Sequence, residues 1–304
     1  MLAVVMWPIR VILSSFAVWV VLTTILPQTV VKYVQQEAYG LLISLGKYPY
    51  SLLLENRSTY NSTVVAVIAH PDDEVMFFGP TLVELAKEKY GNSVQIVCFS
   101  LGDADSEGMG QIRSRELEAL ARILGAHGVH MIPGFKDGME ENWDLELVAQ
   151  NVEKQLANIQ KAQPKRPVVV ITFDDQGVLG HPNHVALYNG VKKWWGTRGR
   201  KQQQVLVLCL KLLLFLEKYS FTILTNVELF VEHISGIFLS LWKVNLNILF
   251  FKGAETVRFY CDLNMLAVEY AAMAYGHFSQ MVWFRYGWLC LSRYLTFNEL
   301  VPMK

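Results

Sequence analysis

Val64-Val65-Ala66-Val67-Ile68-Ala69-His70-Pro71-Asp72-Asp73-Glu74 decides the fold. Six small and β-branched apolar residues in a row suit a strand buried on both faces of a parallel sheet, and the polar turn that follows leads into an apolar-periodic segment reaching Tyr90. The same strand, loop, helix order recurs. Residues 94–99 read as a strand, 102–110 as a Gly/Asp-rich loop and 112–124 as a helix closed by Gly125. Residues 129–132 form a third strand, with a helix over about 145–163. Pro164 and Pro167 then frame a fourth strand at 168–173, a loop at 174–180 and a helix from about His184 to Trp194. Four such units imply a doubly wound α/β fold, a Rossmann-like three-layer sandwich around a mostly parallel sheet, occupying residues 61–304.

The 304 residues carry 27 basic and 27 acidic side chains, so bulk charge gives no reason to expect nucleic-acid binding. Only 18% are charged and 52% are hydrophobic, which leans toward membrane association and away from disorder. The apolar surplus begins at the N-terminus. From Leu2 to Leu26 the only charge is Arg10, and 25 helical residues reach about 37 Å, enough to cross a hydrocarbon core of about 30 Å. Residues 1–30 therefore read as a single membrane anchor, with Arg10 snorkelling toward one interface beside Trp7, and residues 31–60 as a linker. A cleaved signal peptide is disfavoured, because the start lacks a basic region and Thr23 to Gln28 offers no small-x-small cleavage site. Arg10 on one side against Lys32 and Lys47 on the other leaves the sidedness open. Asn56-Arg-Ser and Asn61-Ser-Thr are formal glycosylation sequons whose occupancy would decide the side. Cys98, Cys209, Cys261 and Cys290 are too widely spaced for a disulfide scaffold and read as reduced thiols.

Beyond Gly196 the pattern changes. Residues 197–204 are basic and glutamine-rich, and Val205 to Phe251 is apolar with scattered charges. Within it Ile234 to Phe251 carries only Lys243. A central lysine is costly in a membrane, so core or interfacial packing is expected rather than a second span.

The chemistry is concentrated in the loops after the strands, where open α/β sheets build their sites. The first loop places His70, Asp72, Asp73 and Glu74 together. Three residues apart, His70 and Asp73 reach the same side of a helical turn while Asp72 projects differently, so one carboxylate is available to a metal and its neighbour to act as a base. Capping of the helix is the alternative use of these acids. The fourth loop, Asp174-Asp175-Gln-Gly-Val-Leu-Gly180-His181-Pro-Asn-His184, brings a second pair of histidines three apart. Both loops at equivalent sheet positions argue for a mononuclear metal site; two histidines and a carboxylate with one open position suit zinc, and iron or another divalent ion accepts the same set. The second loop contributes Asp103, Asp105 and Glu107. Arg113 follows near a helix start, either holding a phosphate or lying on an ordinary charged helix surface.

Taken together, the A-H-P-D-D-E loop, the Arg113-x-x-Glu116-Leu117 segment ending in Leu124-Gly125 and the G-H-P-N-H loop resemble the LmbE-like zinc de-N-acetylases. The N-terminal anchor and the run His277-Phe-Ser-Gln-Met-Val-Trp-Phe-Arg285 are most similar to its PIG-L type, which acts on N-acetylglucosaminyl-phosphatidylinositol (GlcNAc-PI). The resemblance covers about 63–195 and returns near 271–300. It implies zinc held by His70, Asp73 and His184, Asp72 as general base, and His181 stabilising the oxyanion or protonating the leaving amine. Arg113 would face the inositol phosphate, and Asp175 is a candidate to orient one of the histidines. It further implies a glycolipid substrate, the second step of glycosylphosphatidylinositol (GPI) synthesis, and a single-pass protein of the endoplasmic reticulum with its catalytic domain in the cytosol. Another GlcNAc-containing substrate, or an inactive tethered scaffold whose divergent 196–270 region abolishes activity, are the alternatives.

Overall fold

The computed structural model describes residues 2–28, 60–104, 108–197, 205–231 and 256–304. The expected linker, the Asn56 sequon, Asp105, Glu107 and the segment from Ile234 to Phe251 lie outside the described residues. Seven strands form one sheet in the order β3-β2-β1-β4-β5-β7-β6. They are β1 (Thr63–Ile68), β2 (Ser93–Ser100), β3 (Gly128–Phe135), β4 (Val168–Thr172), β5 (Val205–Leu210), β6 (Val257–Tyr260) and β7 (Phe297–Pro302). The first five pair in parallel, β1 running in register with β2 on one side and β4 on the other. The sheet is mixed because β7 runs antiparallel to both β5 and β6. β5 and β6 fall inside the region 196–270 that was expected to diverge, and both are paired members of the sheet.

Every residue of β1 and of β4 is buried, which is why these strands read as unbroken apolar runs. Helices cover both faces. Besides the single helical turns Gly177–Gly180 and Phe215–Lys218, those described are, in chain order, α1 (Leu2–Val20), α2 (Asp73–Met76), α3 (Gly79–Leu85), α4 (Met109–Ile123), α5 (Leu145–Ala162), α6 (Pro182–Thr197), α7 (Thr222–Val231), α8 (Leu263–Ala271) and α9 (Trp283–Leu291). The apolar segment expected to run as one helix to Tyr90 is broken at Phe77 and Phe78 into α2 and α3. Asn298 of β7 fixes that break: its side-chain carbonyl accepts from Thr81 N at 3.2 Å and Thr81 Oγ1 at 2.8 Å, and its amide donates to the Phe77 carbonyl at 3.0 Å.

α1 continues through a π-helical turn at Val21–Ile25, and the stretch Met6–Gln28 has a mean hydropathy of 2.1, long and apolar enough to cross a membrane. Its second half packs on the domain. Trp19 and Thr23 are fully buried, and Thr24 Oγ1 accepts from Leu263 N at 3.0 Å.

The order of the sheet reverses at β1 and β4. The chain leaves β1 toward β2 and β3 on one side and toward β4 and β5 on the other, so the loops after β1 and β4 diverge and open a crevice at their carboxyl ends. α5 and α6 close one face beside it, in contact at Gly190, where an added Cβ would stand 2.3 Å from Val148 Cγ1. Gly190→Ala is expected to force these helices apart and cost about 1–3 kcal/mol, read as a lower midpoint of thermal unfolding; an unchanged midpoint would show the contact to be looser.

Candidate active site

The loop after β1 is held by its own acids. Asp73 Oδ2 accepts from the Ala69 and His70 amides at 3.1 and 2.8 Å, turning the chain back over the strand end. Asp72 takes a φ of +126°, a region that favours glycine. Its amide donates to Glu74 Oε2 at 3.0 Å, and its carbonyl accepts from Val75 and Met76. Glu74 is itself held by His277, whose Nε2 lies 2.6 Å from Glu74 Oε1, both side chains fully buried. Burial works against protonating His277, but Glu74 outweighs it and holds the imidazole pKa above its usual value.

Three donor groups converge above this loop. His184 Nε2 lies 3.2 Å from Asp73 Oδ1 and 3.2 Å from His70 Nδ1, and His70 Nδ1 lies 3.6 Å from Asp73 Oδ2. A tetrahedral cation with arms of about 2.0–2.1 Å requires donors about 3.3 Å apart, so the two 3.2 Å separations from His184 Nε2, to Asp73 Oδ1 and to His70 Nδ1, suit a small divalent metal. The far nitrogen of each ring is engaged. His184 Nδ1 bonds the Gly177 carbonyl at 3.1 Å while its ring stacks on Phe173 at 4.1 Å, and His70 Nε2 meets Asp137 Oδ1 at 3.0 Å and Asn183 Oδ1 at 3.1 Å. Such partners fix the tautomer and leave His70 Nδ1 and His184 Nε2 facing the centre.

The charges agree with that assignment. Burial raises the Asp73 pKa, but His184 and His70 reverse it and bring it to about 2. Burial lowers that of His70, yet Asp137 and Asp73 carry it to about 9, so a cation binding here displaces a proton from His70. His181 also has a ring nitrogen in this group, all three imidazoles offering donors within 4.8 Å of one another. Its Nδ1 accepts the Asn183 amide at 3.3 Å, which leaves the proton on Nε2. Burial, then the charges of His70 and His184, lower its pKa to about 4, so at neutral pH His181 is an uncharged donor beside the centre. Those two features favour Asp73 over His181 as the third ligand.

These groups line a cleft of about 650 Å³ that Arg113, Asp137, Tyr219, Phe284 and Arg285 also border. Asp72 lies in it, paired with the Arg285 guanidinium. Burial pushes the Asp72 carboxyl above its usual range, and Arg285 pulls it partly back, a balance suited to a group that must gain a proton and release it. Arg113 donates to the Gly102 carbonyl at 2.5 Å and lies 4.0 Å from Asp137.

The structure thus gathers His70, Asp72, Asp73, His181, His184 and Arg113 around one cleft. Asp175 stands apart. It is exposed, and the carboxylate that shapes the fourth loop is its buried neighbour Asp174, accepting from Gln176 N at 2.8 Å and Val178 N at 3.1 Å. The place expected for Asp175, orienting a histidine, is filled by the Gly177 carbonyl and by Asp137. Asp103 is exposed. Four residues carry weight that the sequence reading had not given them: Asp137, Asn183, His277 and Arg285. Asp137 follows the third strand, where the same rule about strand ends pointed.

A family and two relatives similar to this chain share one description. Residues 65–195 match the family described as PIG-L, GlcNAc-PI de-N-acetylase. The chain is 34% identical over 242 residues to a probable N-acetylglucosaminyl-phosphatidylinositol de-N-acetylase of Schizosaccharomyces pombe, covering 78% of this chain and 86% of that one. It is 32% identical over 250 residues to the N-acetylglucosaminyl-phosphatidylinositol de-N-acetylase of Saccharomyces cerevisiae, covering 77% and 79%. Among solved structures, the deacetylase of a deacetylase–teicoplanin complex is similar with a TM-score of 0.47 and 15% identity, over 79% of this chain and 98% of that chain. The chain belongs to the PIG-L family of de-N-acetylases, hydrolases that cleave an acetamide.

Two substitutions separate the roles. Asp72→Asn should abolish turnover while the protein still binds one equivalent of metal, whereas His184→Ala should lose metal and activity together; metal analysis alongside a rate assay reads both, and the reverse pattern would overturn the assignment. Asp72 is active as a base only when ionised, so activity falls as pH drops through its pKa. Removing the cation that favours the ionised form, by Arg285→Gln, should move the acidic limb of the kcat/KM profile upward by about 1 pH unit or more; an unmoved limb would show that Arg285 does not act on Asp72.

Proposed function

We propose that this chain hydrolyses the N-acetyl group of GlcNAc-PI, releasing acetate and leaving glucosaminyl-phosphatidylinositol, the second step of GPI-anchor synthesis. The observation that carries the reading is Asp72, ionisable and open to the cleft, beside three donors spaced for a metal at the β1/β4 crevice. The names of the relatives supply the substrate class. His70, Asp73 and His184 would hold zinc, which when bound supplies Lewis acidity that makes an attacking water acidic near neutral pH.

The remaining work falls to the chain. Asp72 takes the proton of the attacking water as its oxygen adds to the acetamide carbonyl. His181, uncharged and carrying its proton on Nε2, donates a hydrogen bond to the oxygen on which negative charge develops. Asp72 then returns its proton to the departing amine, which is why a carboxyl pKa raised by burial serves the reaction in both directions. Arg285 holds Asp72 in place at the edge of the cleft. Arg113, which also lines the cleft, would meet the phosphate of the substrate. The apolar α1 would keep the enzyme on the membrane that carries the lipid, in the endoplasmic reticulum with the catalytic domain on the cytosolic side.

The test is acetate release from GlcNAc-PI by membranes carrying the full chain. Turnover that a chelator stops and added zinc restores is the expected result. No release by folded protein from this lipid, with release from another GlcNAc compound, would replace the substrate.

A further inference from the structure

We propose that the catalytic domain is seated in the lipid surface itself. In this arrangement α7, the turn Leu214–Leu216 and the outer face of α9 enter the boundary of the bilayer, so that the cleft opens to lipid rather than to bulk water. The proposal rests on the membrane-anchored reading above and identifies its partner as a phospholipid bilayer.

The first observation is depth. Ser15 lies well inside the span Met6–Gln28, about 13 Å from one end and about 20 Å from the other at 1.5 Å per residue. At that level the anchor touches the domain. Ser15 Oγ is 2.8 Å from Thr222 Oγ1, the Ser15 carbonyl accepts from Asn226 Nδ2 at 2.8 Å, and the Phe16 ring lies parallel to that of Phe221 at 6.1 Å. α7 therefore lies alongside the apolar span and not beyond its end, so a bilayer that receives α1 meets α7 beside it.

The second observation is that α7 and its neighbours are built for such a place. Phe230 is 60% exposed, with Val227 exposed beside it. The acid of α7, Glu228, is turned to the buried Arg293 at 2.7 Å. Before α7, Leu214, Phe215 and Leu216 stand outward, Leu216 being 81% exposed. The two charges that follow fold back onto the backbone, Glu217 accepting from Leu214 N at 2.7 Å and Lys218 donating to the Val178 carbonyl. Val227, Phe230 and Leu214 to Leu216 are thus an exposed apolar group whose neighbouring charges Glu217, Lys218 and Glu228 are bonded within the protein.

The third observation is continuity with the cleft. Phe221 N donates to the Leu291 carbonyl at 3.1 Å, joining the start of α7 to the end of α9. From α9 Trp283, 86% exposed, and Tyr286 project outward, amphipathic rings of the kind that settle at headgroup depth. Tyr219, Phe284 and Leu291 pass from this strip into the cleft lining. Exposed apolar and aromatic side chains therefore extend from beside the anchor, past α7 and α9, to Tyr219, Phe284 and Leu291 of the cleft. A headgroup sugar can reach the site while acyl chains stay in the bilayer.

Two measurements on the full chain in phosphatidylcholine vesicles test the proposal. Nitroxide labels are placed at Leu216→Cys and at Trp283→Cys, each with Cys290→Ser, the other three thiols being buried. Collisions with bilayer-dissolved oxygen should exceed those with a water-soluble nickel chelate. Nickel in excess would place the strip in water, and exclusion of both reagents would show it covered by protein, from this chain or a second copy; either result overturns the proposal. The second measurement compares GlcNAc-PI in vesicles with its soluble deacylated headgroup. Leu216→Asp combined with Trp283→Asp should cut turnover of the lipid about tenfold or more. The soluble headgroup should be turned over within about twofold of the unsubstituted rate, because neither residue lines the cleft. Equal loss on both substrates, or loss on neither, contradicts the lipid-facing strip. Should the unsubstituted enzyme act on neither substrate, the reading of its function fails, while the labels still report whether the strip meets lipid.

Discussion

Everything in the site hangs on one carboxylate with two obligations. One oxygen of Asp73 is bound by the Ala69 and His70 amides and so shapes the turn out of β1, while the other faces His184 across the crevice. A side chain pinned in this way has little freedom left to lose when a cation arrives, so the donor positions are set before binding. The same turn forces the neighbouring residue, Asp72, into its positive φ and lifts its carboxyl into the cleft. The two adjacent carboxylates differ in surroundings because the loop gives Asp73 to its own backbone and leaves Asp72 to Arg285 and the cleft, which is why the proposed roles of ligand and base fall as they do.

That loop is supported from the far end of the chain. His277 grips Glu74, Asn298 grips the α2–α3 junction, and Arg285 grips Asp72, so three contacts more than 200 residues distant in sequence hold the first catalytic loop. The 277–280 turn is in turn fastened to α4, where Ser279 N and Oγ donate to Glu116 at 2.8 and 2.6 Å. The cleft therefore draws on both ends of the chain: Asp72 and Asp73 come from the loop after β1, and the side chains that hold that loop come from the segment after α8 and from β7.

The strands and most helices were legible because a buried parallel strand leaves an unmistakable mark: a run such as Val64 to Ala69 with no polar member. The candidate site was legible because a strand end in this fold is where sites form, and His70, Asp73 and His184 follow two adjacent strands and converge on one cleft. Asp175 was named from the sequence and its neighbour Asp174 shapes the loop, because which of two adjacent aspartates turns inward is set by the backbone of the turn. Asp137 lay at a third strand end, in a Lys-Asp-Gly turn with no histidine to draw notice. His277 and Arg285 were visible only as part of a resemblance, since nothing local ties them to residues so far away in the chain. The apolar anchor was plain; its packing against α7 was not, for Ser15, Thr222 and Asn226 are unremarkable polar residues until they meet.

The central claim, that Asp73 completes the metal site while His181 stays free to donate to the substrate, is tested most directly by X-ray absorption of the zinc-loaded protein. The account predicts two imidazole nitrogens together with oxygen ligands. Three imidazoles around the zinc would place His181 in the coordination sphere and contradict the division of labour on which the mechanism rests.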